Sequence, residues 1–193
     1  MFRGRLAFLV FLMFGAVALP LAAQETAGVE TDAAMPSEDA AGAKTGKDCK
    51  PGFGCVTNLP LPRFVSLKGD EGNARRGPGL THRIDWVFTR PGMPLMITAE
   101  FEHWRRVEDQ DGAGGWVHYA LLSGVRTVLI TLDMAELRSK PDLRAPVEAQ
   151  AEMGVIAKVI ECQPDWCRIS ADGQKGWVEK TALWGVLPGE IIE

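Results

Sequence analysis

The 193-residue sequence predicts an all-β protein whose main part is two small, partly open barrels in tandem. Three observations support this prediction. A block of about 60 residues occurs twice, each block is a series of short strand-like segments, and turn residues separate those segments. After the N-terminal segment, only the short stretch 135–137 shows any helical periodicity.

The repeat is recognised from tryptophan motifs that recur with nearly constant spacing. A Trp-x-x-Val/Ile segment begins at Trp104 and again 62 residues later at Trp166. An Asp-Gly turn and a Gly-Trp-Val segment follow in both copies, and from that turn onward the offset is 61 residues. One extra residue in the first turn accounts for the difference. The two copies occupy about 64–130 and 131–193.

Each copy is predicted to contain five or six short strands, because apolar and polar residues alternate between Gly, Pro and Asp turns. A single helical turn is expected near 119–122 and near 180–183. The predicted strands are 64–67, 84–89, 95–101, 104–108 and 116–118 in the first copy, and 128–132, 155–162, 166–170 and 176–179 in the second. Such a series fits a small barrel.

Residues 1–23 have the three-part pattern of a cleaved secretory signal. Arg3 and Arg5 precede an apolar run over 6–19, and small residues end at Ala23, after which cleavage is predicted. The alternative is a membrane anchor, but an apolar run of 14 residues is shorter than the roughly 20 that cross a bilayer. We therefore expect a periplasmic or secreted protein without stable membrane insertion.

Residues 24–57 are predicted to be a flexible linker that ends in a cysteine loop. The stretch 24–48 has no aromatic residue and few large apolar ones, so it buries too little surface to offset the entropy of ordering. A short Ala-rich helix docked on the domain is the alternative.

The four cysteines, Cys49, Cys55, Cys162 and Cys167, are expected to form disulfides, because an even number in an exported chain indicates bridges. Three pairings are possible. The two local ones are favoured, since Pro, Gly and Asp between the cysteines let the chain turn back, and the Cys162–Cys167 ring would contribute about 2 kcal/mol. A four-cysteine zinc site is the alternative, but the spacing does not suit it. No metal or cofactor is expected.

The charge balance excludes one class of partner. The full chain has a net charge of −4, and removal of the two signal arginines leaves 19 basic against 25 acidic residues. No excess of positive charge is available to release counterions from a phosphate backbone, so no nucleic acid partner is expected.

The run Asn73-Ala-Arg-Arg-Gly-Pro-Gly79, the Trp-x-x-Val/Ile strands, the Asp-Gly turns and the Gly-Trp-Val segments resemble bacterial SH3-type (SH3b) repeats. The resemblance covers about 58–188 and implies two tandem SH3-like domains, at 58–130 and 131–193. It also implies a non-catalytic protein that binds peptidoglycan, its peptide stems, or an envelope protein held as an extended peptide. The second copy has Arg138-Ser-Lys-Pro-Asp142 in place of the Arg-x-Gly-Pro-Gly turn, so ligand contacts of that loop are not carried over to it.

The tryptophans are expected outside the barrels or at their rims. In an extended strand Trp104 points away from Val107, and Trp116 points away from Val117, so valines that fill the barrel leave the indoles outside it. These rings either cover barrel ends and pack between the copies, or line an aromatic groove for a peptide or glycan. The candidate groove residues are Arg75, Arg76, Trp86, Trp104, Trp116 and Tyr119. For the arginines, a solvated turn is the alternative.

No catalytic residue is predicted. The three histidines lack metal-binding spacing, and the sequence has neither a nucleophile elbow nor a phosphate loop. Glu108, Asp109 and Asp111 are adjacent in sequence, but a solvated hairpin turn is favoured over a hydrolase site. We therefore expect a binding protein rather than an enzyme. A periplasmic protein–protein scaffold or inhibitor is the alternative.

Overall fold

The computed structural model describes residues 49–193, which form two antiparallel sheets of seven strands each. The predicted fold class, all-β with two small barrels in tandem, is therefore confirmed. The predicted signal at 1–23 and the linker stretch 24–48 lie outside the described residues. Within 49–193, no helix is long and apolar enough to cross a membrane.

The first barrel is one sheet with a short 3₁₀ turn, Tyr119–Leu121, before its last strand. Its strands are β1 (Arg63–Leu67), β2 (Gly72–Arg75), β3 (Ile84–Phe88), β4 (Pro94–Phe101), β5 (Trp104–Glu108), β6 (Gly114–His118) and β7 (Leu122–Ser123). Their order across the sheet is β3-β2-β6-β5-β4-β1-β7.

The second barrel repeats this arrangement strand for strand. Its strands are β8 (Thr127–Ile130), β9 (Met134–Arg138), β10 (Val147–Glu152), β11 (Ile156–Cys162), β12 (Trp166–Ala171), β13 (Gln174–Glu179) and β14 (Leu183–Trp184). The order is β10-β9-β13-β12-β11-β8-β14, and the 3₁₀ turn is Lys180–Ala182. Each strand thus takes the place of the strand seven positions earlier in the chain.

The cores form as the alternation in the strands predicts. Val107 and Val117 are fully buried in the first barrel, and Ile169 and Val178 occupy the same positions in the second. Because successive side chains of a strand point to opposite faces, each buried residue places its neighbours on the outer face. The tryptophan side chains of the motifs therefore lie on the outer face of the strands, and the valines and isoleucine of the same motifs lie in the core.

Five strands, β2, β7, β9, β10 and β14, were not predicted from the sequence. The β10 segment Val147–Glu152 consists mainly of Glu, Ala and Gln, which have low strand propensity. It is nevertheless extended because it pairs with β9, and β9 in turn pairs with β13. Pairing with a preformed neighbour outweighs the intrinsic preference of the residues. The strand β8, which ends at the predicted domain boundary, pairs with β11 of the second sheet.

The register corrects the alignment of the two copies by one residue. In the sequence, the similar segments Asn73-Ala-Arg-Arg76 and Ala135-Glu-Leu-Arg138 match at an offset of 62, which aligns Arg76 with Arg138. In the ladders, however, Arg75 faces Trp116 and Arg138 faces Trp177, so Arg75 and Arg138 are equivalent. The offset changes again before β4, in the linking turns, where an insertion does not disturb the core.

Both favoured local disulfides, Cys49–Cys55 and Cys162–Cys167, are present. Cys162 and Cys167 face each other across the β11–β12 ladder. The Cys49–Cys55 loop leads into residues 56 and 57, whose N–H groups donate hydrogen bonds to Glu100 of the first barrel. The end of the assigned linker is therefore attached to that barrel.

The two barrels are in direct contact. The rings of Phe64 and Trp184 meet edge to face, with their centres 5.1 Å apart. The Thr127 hydroxyl donates to the Gly92 carbonyl over 2.6 Å, and Arg90 donates to the carbonyl of Gly154. The edge-to-face contact between copies is made by Trp184, which the sequence did not single out.

Candidate binding site

An arginine on the second strand of each barrel holds the loop that follows. Arg75 donates to the carbonyls of Leu80 and His82 over 3.1 and 2.8 Å. Arg138 donates to the Ala145 carbonyl over 2.7 Å. The loop is therefore anchored in both copies, although its sequence differs. The Nη1 atom of Arg75, a half-buried residue, is therefore engaged by its own loop.

Arg76, the second candidate arginine, belongs to an exposed charge cluster. Its Nε lies 3.0 Å from Asp85, and the Nε of Arg83 lies 2.6 Å from the other carboxylate oxygen. The hydrogen bonds from Arg83 and Arg76 hold the pKa of Asp85 below its usual value. Two arginines thus share one carboxylate at the tip of the β2–β3 hairpin.

A cluster of aromatic rings lies where β5 and β6 of the first barrel meet the 3₁₀ turn. Trp104 is only 8% exposed and meets His118 edge-on, with 5.5 Å between ring centres. Tyr119, 50% exposed, lies 4.9 Å from His118 and 5.7 Å from His103. The buried Trp104 supports the interpretation that tryptophans cover the barrel, while Tyr119 remains open to a ligand.

Trp116 lies on the same face of the sheet. It is half-buried and stands between Arg75 and Arg106, its partners on the two neighbouring strands. Directly opposed residues of a ladder point to the same side. We call Trp104, Trp116, His118 and Tyr119 the aromatic face of the first barrel.

Trp86 is separate from this face. It lies opposite Ala74, which is fully buried in the core, so the Trp86 ring is on the core side of the β2–β3 hairpin. It extends past the end of the core and is 47% exposed. The structure therefore brings together Arg75, Trp104, Trp116 and Tyr119 of the six candidates, and places Arg76 and Trp86 elsewhere.

The second barrel has a groove at the position equivalent to the aromatic face. It has a volume of about 160 Å³, and the half-buried Trp166 lines it in the position that Trp104 occupies in the first barrel. This second-barrel groove is also lined by Leu132, Met134, Leu143, Glu136, Arg138 and Glu179. None of them was a candidate from the sequence, although the equivalence of Trp166 with Trp104 was a signal that could have identified the groove.

The groove differs from the aromatic face because the residues around the 3₁₀ turn differ. Where the first barrel has His118 and Tyr119, the second has Glu179 and Lys180. The Lys180 ammonium donates to the Glu190 carbonyl over 2.5 Å. Burial lowers the pKa of Lys180, and Glu190 and Asp165 oppose that shift. A lysine held by the C-terminal tail occupies the position of the exposed Tyr119.

The adjacent carboxylates of the β5–β6 turn are not all solvated, in contrast to the expectation. Asp109 is buried, and its Oδ1 accepts hydrogen bonds from the backbone N–H groups of Asp111 and Ala113 at 3.0 and 2.9 Å. This capping role explains the burial, because the two N–H groups replace the water that the carboxylate loses.

Glu100 is the centre of a buried charge cluster at one end of the first barrel. It accepts from Arg63 at 2.6 Å, from the Thr57 hydroxyl at 2.7 Å, and from the N–H groups of Val56 and Thr57. Arg105 lies 3.5 Å away. Burial alone would raise the pKa of Glu100, but the hydrogen bonds from Thr57, Arg63 and Val56 outweigh it and lower the pKa.

Glu190 plays a related part in the second barrel. Its carboxylate accepts two hydrogen bonds from Arg126, at 2.6 and 3.0 Å, and one from the Leu187 N–H at 2.8 Å. Burial raises the pKa of Glu190, but these hydrogen bonds and the positive charge of Arg126 lower it further than burial raises it. The ion pair fixes the C-terminal tail to the start of the second barrel.

A larger concavity, of about 340 Å³, lies between the barrels. Gln110 and Asp111 line it from the first barrel, and Met153 and Trp184 from the second. Among residues 49–193, no three His, Cys, Asp or Glu side chains are grouped as metal ligands would be.

A family model described as bacterial SH3 domain matches residues 68–124 and 132–185, which together exceed half of the chain. No curated protein matches it. Among solved structures, NlpC2 from Trichomonas vaginalis is similar at 14% identity and a TM-score of 0.31, over 64% of this chain and 48% of that one. NlpC1 from the same organism is similar at 13% identity and a TM-score of 0.31, over 70% and 50%. The chain spans about half the length of these two structures. A likeness at this TM-score carries no argument about function.

Proposed function

Since the chain belongs to the bacterial SH3 domain family, we propose that it is an exported, non-catalytic protein of the cell envelope that binds peptidoglycan through its peptide stems. Domains of this family are typically cell-wall binding modules. The two disulfides agree with a location outside the cytoplasm, because such bridges persist in oxidising compartments.

The second-barrel groove is the observation that supports this proposal most. It combines the indole of Trp166 and the apolar Met134 and Leu143 with the carboxylate of Glu179 and with Arg138, which is paired with Glu136. Stem peptides are short and carry amino groups, which suit the Glu179 carboxylate. Its volume of about 160 Å³ is below the roughly 300–1,000 Å³ of sites for drug-sized ligands, which fits a short segment of a polymer.

The aromatic face of the first barrel supplies a second contact in this proposal. The exposed Tyr119 and the half-buried Trp116 present flat apolar surfaces with polar edges, which suit a sugar ring or a peptide backbone. A polymer with repeated stems can occupy both barrels at once. The second contact then forms within one complex, so the combined affinity exceeds that of either barrel.

Binding is tested with purified sacculi in a pull-down at low salt. We expect the wild-type chain to be retained and Trp166→Ala to bind about tenfold more weakly, because truncation of a central aromatic residue removes a large share of binding energy. Lys158→Ala is the control, since Lys158 is exposed on β11 and is absent from the groove lining. No retention of the wild-type chain would overturn peptidoglycan binding.

The proposal includes no catalytic step. The buried Glu100 and Asp109 and the half-buried Glu190 each accept hydrogen bonds that hold chain segments in place, so these carboxylates have structural roles. Incubation of the protein with sacculi should release no soluble fragments, as measured by chromatography of the supernatant. Release that depends on one carboxylate would identify a hydrolase instead.

Export is the remaining part of the proposal. We expect residues 1–23 to be removed, so that N-terminal sequencing of the exported protein begins at Gln24. A protein that retains its first 23 residues would contradict cleavage.

A further inference from the structure

The outer strand of the first barrel, β3, has an open edge. In the part of the chain that the structure describes, β3 is the terminal strand of its sheet and pairs with β2 alone. One row of its backbone N–H and C=O groups is therefore without a strand partner. Such an edge can pair with another chain, and proteins usually protect it with charges, prolines or bulges.

The edge of the first barrel has little of this protection in its side chains. Ile84, Trp86 and Val87 are 40%, 47% and 41% exposed, although they belong to a strand of only five residues. Trp86 lies opposite the buried Ala74 and points to the core side. Because the register shifts between Ala74 and Arg75, Ile84 lies opposite Arg75 and points, like Val87, to the outer face. Apolar surface is therefore available on both sides of an added strand.

The equivalent edge of the second barrel is protected. Its strand β10 has the small or polar Ala149 and Gln150 at the positions of Trp86 and Val87, which leaves Val147, at the position of Ile84, as its one exposed large apolar residue. Pro146 precedes the strand. Two edges in the same topological position thus differ in the way that distinguishes a binding edge from a blocked one.

The charges around β3 indicate what kind of strand would bind. Arg83 precedes the strand and Arg90 follows it, while Asp85 is the only acidic residue within 83–90. Asp85 is already paired with Arg76 and Arg83. Residues 146–153 of the second barrel contain two glutamates and no basic residue. The first edge therefore favours an acidic strand, and the second edge repels one.

We propose that β3 binds an extended, acidic segment of a partner protein, which adds to the first sheet as a further strand. Backbone hydrogen bonds along the open edge give affinity, and the arginines beside the strand select acidic side chains. A short segment is favoured over a second copy of this chain, because a five-residue strand offers far less than the roughly 1,200 Å² of a stable interface. This site goes beyond the proposed function, because β3 belongs neither to the second-barrel groove nor to the aromatic face of the first barrel.

The test measures fluorescence polarisation with labelled hexapeptides, in which valine alternates with glutamate or with lysine. We expect the glutamate peptide to bind at least about tenfold more tightly than the lysine peptide, because opposite charges flank the edge. Two further glutamate peptides carry N-methyl groups on one alternate set of residues or on the other. Only the set that faces β3 donates to it, so one methylated peptide should lose binding and the other retain it.

Matched variants separate the edge from the rest of the molecule. Val87→Glu should weaken the glutamate peptide about tenfold by repulsion at the edge, while Gln150→Glu, at the equivalent position of β10, should leave it within about twofold. Trp166→Ala should leave peptide binding unchanged, so a failure of sacculus binding and a failure of this proposal are distinguishable. Equal binding of the two methylated peptides, or no effect of Val87→Glu, would overturn strand addition at β3.

Discussion

The two barrels secure the same structural position by different chemistry. Glu100 faces Arg105 across the β4–β5 ladder, and Cys162 faces Cys167 across the β11–β12 ladder, 62 residues later in both cases. The first pair is a buried ion pair, and the second is a disulfide. A duplicated fold thus retains the cross-strand contact while its chemistry changes.

The difference shows what each solution requires from the rest of the chain. A buried carboxylate must be compensated by donors, and Glu100 obtains them from Arg63 and from the segment at Val56 and Thr57. A disulfide needs no such donors. The C-terminal tail approaches it only through backbone hydrogen bonds between Ile192 and Cys162.

Arg63 of the first barrel and Arg126 of the second barrel are also equivalent. Arg63 and Arg126 lie four residues before Leu67 and Ile130, which pair with the last strand of their respective barrels. Arg63 binds Glu100 within the first barrel, whereas Arg126 binds Glu190 in the tail. Where the second barrel has Cys162 at the position equivalent to Glu100, the equivalent arginine is thus paired with a carboxylate of the C-terminal tail.

The largest effect on stability is expected when the charge of Glu100, in the first barrel, is removed. Glu100→Gln leaves Arg63 and Arg105 buried without a carboxylate, which should lower the free energy of unfolding by about 3–5 kcal/mol. Urea denaturation followed by tryptophan fluorescence measures this. Glu102→Gln, on the exposed neighbouring turn, is the control and should change stability by less than about 0.5 kcal/mol. A loss below about 1 kcal/mol for Glu100→Gln would show that the cluster is not a structural centre.

The Cys162–Cys167 disulfide of the second barrel should contribute less to the free energy of unfolding. Replacing both Cys162 and Cys167 with alanine should cost about 2 kcal/mol, because the bridge closes only a small ring. Hydrogen exchange of β11 and β12, compared with β4 and β5, locates the loss. If hydrogen exchange became equally faster in both barrels, the disulfide would not stabilise the second barrel independently of the first.

A smaller loss is expected where the tail is attached. Glu190→Gln weakens two hydrogen bonds with Arg126, and the partly exposed site should lose about 1–2 kcal/mol. Glu193→Gln, at the exposed end of the same tail, is the control. Faster hydrogen exchange at residues 187–193 in Glu190→Gln alone is the specific readout. Identical exchange in both variants would show that the ion pair does not hold the tail.

The smallest effect is the change of stability with pH near neutrality. The pKa values of Glu100 and Glu190 lie below the ordinary 4.5 in the folded state, so their contribution is complete above the unfolded pKa and disappears as the pH falls through the folded one. From pH 7 to 5 the change should be less than about 0.5 kcal/mol, and it should steepen below pH 4.5. Urea denaturation at a series of pH values measures this. An increase in the free energy of unfolding as the pH is lowered from 5 to 3 would contradict the lowered pKa values.

Much of the fold was predictable because its signals are local. The alternation around Val107, Val117, Ile169 and Val178 predicts strands, and the Gly, Pro and Asp residues between them predict turns. Each motif is weak by itself, but its occurrence in both copies strengthens the prediction of the fold. The local disulfides were predictable for the same reason, since cysteines five or six residues apart need only a turn between them.

The candidate site residues coincide only in part with one surface of the structure. Four of the six candidates lie in one region of the first barrel, where Arg75 donates to its own loop and Trp104 is buried. The second-barrel groove was missed because Leu132, Met134 and Leu143 have no motif. They become a groove only when β9, its loop and the 3₁₀ turn surround Trp166.

The number of barrels, most of their strands and the disulfides follow from local sequence patterns, because these features depend on periodicity and on residues close together in the chain. Which charges are buried and which edge is open depends instead on long-range contacts. Glu100 meets Thr57 from 43 residues away, and Arg126 meets Glu190 from 64 residues away. Contacts of that range are set by how strands are ordered in a sheet, and strand order leaves no local pattern in the sequence.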